Sequence, residues 1–139
     1  MKLWTRFAVL LFFVPLIASA QFANLDAAVS NLERGFGSGD VQAIVSGIGD
    51  GEQVQLEFPG LVDHGGFFGR DQASYFLDGL FNKVRPSGFE RVNARKVSAE
   101  KQYHITAKWT ISSGDRDLYV TLKEKDGKWS VVSVKSAGQ

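Results

Sequence analysis

The stretch Gly69–Pro86, GRDQASYFLDGLFNKVRP, decides how the rest of the chain is read. Ala73, Phe76, Leu77, Leu80, Phe81 and Val84 recur at i, i+3, i+4, i+7, i+8 and i+11, which is one apolar stripe of an α-helix. Asp71 falls in the first turn and Lys83 and Arg85 at the end, where the helix dipole favours each charge. Pro86 stops the helix, because proline has no backbone N–H to continue it. A stripe this aromatic needs a broad apolar partner, and the strand-like segments that follow can supply one.

After Pro86 the apolar period changes from 3.6 to 2. Phe89–Val97 reads as a strand of mixed pattern. Tyr103, Ile105, Ala107, Trp109 and Ile111 alternate with polar residues, so this strand has one apolar and one polar face. Leu118, Val120 and Leu122 alternate in the same way, and Trp129–Val134 closes the set. The neighbours Val131 and Val132 imply a bulge or a strand contacted on both faces. The connections at Ala99-Glu100, Ser113-Gly114-Asp115 and Asp126-Gly127 are of hairpin length, and Asp-Gly is the strongest hairpin signal among them. These four segments predict an antiparallel meander.

Upstream, Asn24–Phe36 predicts a helix with Leu25, Ala28, Val29, Leu32 and Phe36 on one face, Asn24 as its cap, and Gly35 and Gly37 ending it. Asp40 caps a second, short helix with Val41, Ile44, Val45 and Ile48 inward. Val54–Phe58 alternates as a strand, Pro59-Gly60 turns, and Leu61–Phe68 forms a second short strand bent at Gly65-Gly66. The order is therefore helix, short helix, one or two strands, long helix, four strands. Physically this is an α+β domain in which helices cover one face of a strongly curved sheet.

The first residues read differently. Lys2 and Arg6 make a basic start, Phe7–Ile17 is apolar, and Ala18-Ser19-Ala20 has the form of a cleavage site. This predicts a cleaved secretory signal peptide, residues 1–20, followed by a single domain, residues 21–139. The apolar run is too short to span about 30 Å of hydrocarbon, and no later segment is expected to cross a membrane. The expected compartment is the periplasm or the outside of the cell. The chain has no cysteine, so its core alone must hold it together there.

Charge is uneven. Residues 21–84 carry 3 Lys and Arg against 9 Asp and Glu, and residues 85–139 carry 11 against 6. The bases of the second half alternate with Glu90, Glu100, Glu124 and Asp126, as on a solvated sheet face, so no nucleic-acid partner is expected.

The order of elements resembles the cystatin-like roll of the nuclear transport factor 2-like superfamily. Within it, the chain resembles the exported family called domain of unknown function 4783. The resemblance is carried by the signal peptide, GFGSGD at 35–40, VQL at 54–56, GRDQASYFLDGLF at 69–81 and DGKWSVVSV at 126–134. It implies a curved antiparallel sheet wrapped on the long helix. That family has no established activity, so no functional residues carry over.

No motif fixes a chemistry. Two histidines far apart and no cysteine give no metal-ligand spacing, and no cofactor is expected. GFGSGD lacks the lysine of a phosphate loop and follows a helix rather than a strand. A curled sheet around a long helix can leave an apolar cavity, and the candidate pocket residues are Phe36, Phe58, Phe67, Phe68, Phe76, Leu80, Trp109 and Val120. Inward strand positions offer no acid, which favours binding over catalysis. The expected role is non-catalytic binding of an apolar small ligand or an envelope protein by a monomer or weak dimer. The alternative is an enzyme of the ketosteroid-isomerase or dehydratase type, for which Asp63, His64 and Tyr75 are the candidate catalytic residues. Arg70 is a further candidate for a polar contact at the rim.

Overall fold

The computed structural model describes residues 24–138. The expected signal peptide lies outside these residues. The elements are α1 (Leu25–Ser38), α2 (Val41–Val45), β1 (Val54–Glu57), β2 (Gly66–Phe68), α3 (Arg70–Val84), β3 (Gly88–Val97), β4 (Gln102–Ile111), β5 (Gly114–Lys125) and β6 (Lys128–Ser136). The strands form one curved, unclosed sheet in the order β2-β1-β6-β5-β4-β3. The chain is an α+β roll with the expected order of elements.

Three local expectations change. First, α1 does not stop at Phe36 but runs on through Gly37 to Ser38, and Gly39 ends it with φ 80°. Gly35 is there for packing: a Cβ on it would sit 2.3 Å from Ile44 Cγ1, so it lets α2 cross α1 closely. Second, the strand expected over Leu61–Phe68 is confined to Gly66–Phe68, and Leu61 instead closes a turn on the Phe58 carbonyl at 3.0 Å. Third, the sheet is not wholly antiparallel. β1 runs parallel to β6, pairing Leu56 with Val134, while the other strand pairs are antiparallel.

The starts of α1 and α2 are side-chain capped as read. Asn24 Oδ1 accepts from the Ala27 N–H at 2.8 Å and Asp40 Oδ1 from the Ala43 N–H at 3.2 Å. The hairpin at Asp126-Gly127 has positive φ at both residues, 54° and 79°, as a two-residue type I′ turn requires. Val132 is the extra residue of a bulge, since Thr121 pairs with Ser133 but Leu122 pairs with Val131.

The strand faces separate as the alternation demands. Ile105, Ala107, Trp109, Leu118, Val120 and Leu122 are buried under the helices. On the outer face Lys108, Tyr119 and Lys123 are exposed, and Thr121 Oγ1 lies 3.2 Å from His104 Nδ1. The core beneath the sheet is filled. Trp109 has ring neighbours Phe58, Phe36 and Phe81 at 5.7, 5.8 and 6.3 Å, and its indole N–H donates to the Phe36 carbonyl at 2.8 Å. No described helix is long and apolar enough to cross a membrane.

Candidate functional site

The helix α3 has two working faces. Ala73, Leu77, Leu80, Phe81 and Val84 are buried against the core. A neighbouring stripe, Gln72, Phe76, Gly79 and Lys83, faces outward and forms one wall of a groove of about 840 Å³. The facing wall is Val62, Asp63 and His64 with Phe67 and Phe68 of β2, and Tyr75 and Asp71 stand at the rim.

Local sequence builds each wall. Gly65 lets the 61–65 loop lie on β1, because a Cβ there would meet the Leu56 carbonyl oxygen at 2.2 Å. Lys83 Nζ donates to the Leu61 carbonyl at 2.6 Å, which ties that loop to α3. At the other end, Gln72 Oε1 accepts from the Gly69 N–H at 3.3 Å and fixes the entry into α3. The floor is aromatic. Phe68 and Phe76 pack at 4.8 Å between ring centres, and Phe76 packs on Phe58 at 6.1 Å.

Of the eight expected pocket residues, Phe67, Phe68, Phe76 and Leu80 line this groove. Phe36, Phe58, Trp109 and Val120 do not. They are at most 1% exposed and fill the interior in which a cavity was expected. Phe58 is the layer between the two, since its ring touches both Phe76 and Trp109. The site is thus an open groove on the outer side of α3 rather than a chamber between α3 and the sheet.

Asp63, His64 and Tyr75, the candidates for catalysis, all line the groove and all are exposed. Arg70 is turned away from it. Its guanidinium donates to the Ile48 carbonyl and pairs with Asp50 at 3.0 Å. His104 is on the outer sheet face, far from the groove in topology. Sequence reasoning missed Val62, Asp71, Gln72, Gly79 and Lys83 as lining residues. The signal was present: Gln72, Phe76, Gly79 and Lys83 follow helical spacing beside the main stripe, with a glycine in mid-helix. Among the described residues no group of three or more His, Cys, Asp or Glu could hold a metal ion.

The fold has solved counterparts. A family protein from Bacteroides ovatus aligns with a TM-score of 0.66 at 17% identity, covering 79% of this chain and 96% of its own. One from Bacteroides uniformis gives 0.67 at 12% identity, covering 79% and 95%. An NTF-2 like protein of unknown function from Silicibacter pomeroyi gives 0.55 at 16% identity, covering 84% and 94%. At these identities the likeness is one of fold. No curated protein matches the sequence. Both Bacteroides proteins carry the family name that the motifs at 35–40, 69–81 and 126–134 suggested. The family's sequence profile, Domain of unknown function (DUF4783), matches residues 29–135, and the chain belongs to that family.

Proposed function

We propose that the protein is an exported, non-catalytic binding domain and that the groove along α3 holds its apolar ligand or the apolar surface of an envelope partner. The observation that carries this reading is the unburied aromatic surface of the groove. Phe67 is 62% and Tyr75 86% exposed, beside the half-buried Phe68 and Phe76. Contiguous apolar surface rimmed by polar side chains marks a binding site.

The enzyme alternative draws on the same groove, because Asp63, His64 and Tyr75 all line it. It is the weaker reading on physical grounds. Acid–base chemistry gains most where donors are fixed and water is excluded, and all three side chains stand exposed at an open groove.

The test is a titration with the neutral fluorophore N-phenyl-1-naphthylamine, which brightens in apolar surroundings. Saturable brightening that falls in Phe67→Ser and Tyr75→Ser is expected. Both side chains are exposed, so neither change should unfold the domain. Brightening that is absent, or unaltered in both variants, contradicts the reading. Export has its own test. The protein recovered from its native cells should begin at Gln21 by mass spectrometry, and retention of residues 1–20 would contradict it.

A further inference from the structure

The geometry points to an extended peptide segment of a partner protein, apolar and cationic in alternation, as the occupant of the groove, added as a further strand along β2. This rests on the binding reading above and gives it a ligand class. Three independent features support it.

The first is the edge. β2 ends the sheet, and among the described residues no backbone hydrogen bond reaches its far side. An unpaired strand edge is a template for another chain. The lining of α3 from Asp71 to Lys83 runs about 18 Å at 1.5 Å per residue, room for about five extended residues at 3.3 Å each.

The second is Gly79. It lies in the interior of α3 and lines the groove. Its φ is not positive, and a Cβ on it would meet nothing within 4 Å. Neither backbone conformation nor packing asks for glycine there, and glycine weakens a helix interior relative to alanine. What it does is leave the helix backbone bare in the middle of the groove, so an occupant can come closer than any side chain would let it.

The third is charge. The groove is built from residues 62–83, within the acidic part of the chain. Asp63 and Asp71 line it, and among the described residues neither carboxylate has an ion pair. Lys83, the one lysine or arginine in the lining among the described residues, donates to the Leu61 carbonyl. Lysine or arginine on the occupant would meet both free carboxylates. A bare acyl chain would use the aromatic floor but neither the strand edge nor these charges.

The test uses the purified protein and a fluorescently labelled, capped seven-residue peptide alternating lysine and valine, read by anisotropy. Saturable binding is expected. A glutamate–valine peptide should bind at least about tenfold more weakly, and so should a lysine–valine peptide N-methylated at every residue, which has no backbone N–H on either side to donate to the edge. Gly79→Leu should lower affinity by a similar factor while melting no earlier than wild type. The double variant Asp63→Asn/Asp71→Asn should weaken binding and remove its salt dependence. Equal binding of the charge-reversed or N-methylated peptide overturns the inference, as does unchanged affinity in Gly79→Leu. If the naphthylamine probe binds and no peptide does, the peptide inference fails and the binding reading stands. If neither binds, both fail.

Discussion

Trp109 shows at one residue why the interior is not a binding chamber. It is 0% exposed, ringed by Phe36, Phe58 and Phe81, and its one polar atom is spent on the Phe36 carbonyl. It therefore ties β4 to α1 as well as filling the space between sheet and helices. Trp109→Ala should cost about 3–5 kcal/mol, the range for deleting a large buried aromatic. Its neighbour Lys108 is exposed on the opposite face, with only Glu90 at 3.8 Å. Lys108→Ala should change stability by less than about 0.5 kcal/mol. Denaturant melts of the two variants check the pair, and similar losses would mean that the strand faces are misassigned. The sequence made the inward direction of Trp109 readable through strict alternation. It could not separate a filled core from an open pocket, because Phe36, Phe58 and Trp109 are as aromatic as Phe67 and Phe76. Only their mutual packing tells the two groups apart.

At the scale of elements, what was legible followed from local chemistry. Asp40 is a clear case: its carboxylate caps α2 at 3.2 Å from the Ala43 N–H and pairs with Arg34 at 3.2 Å. Asp40→Ala should destabilise by about 1 kcal/mol, typical of a lost cap, and an unchanged melting midpoint would contradict that role. The Val131-Val132 pair signalled the β6 bulge for a similar reason, since two adjacent apolar residues break a period of two. β3 reads poorly because its register shifts between Arg91 and Asn93, leaving Val92 63% exposed. The parallel pairing of β1 with β6 left no local trace. Val54, Leu56 and their alternation require a buried face but do not say which strand lies alongside. The end of α1 was misread because Gly35 serves a helix crossing, and a glycine kept for close approach looks the same in sequence as one kept for a cap.

At the scale of the molecule, charge and faces divide the roll. The groove belongs to the acidic first part of the chain, and the outer sheet face is polar. His104, Thr106, Lys108, Thr121 and Lys123 offer too little apolar surface for an obligate interface, and Tyr119 is 44% exposed among them. The protein should sediment as a monomer across the micromolar range. A concentration-independent dimer that is lost in Thr106→Glu or Thr121→Glu would contradict this.

In the proposed function, ligands meet the outer groove of α3 while the interior stays closed. Nitrogen–proton correlation NMR during titration with N-phenyl-1-naphthylamine tests it most directly. The shifts that move should cluster in residues 62–83, with the Trp109 indole N–H, bonded to Phe36 inside the core, holding its position. Shifts centred on Ile105, Trp109 and Val120, with residues 62–83 unmoved, would place the site inside the roll and contradict the account.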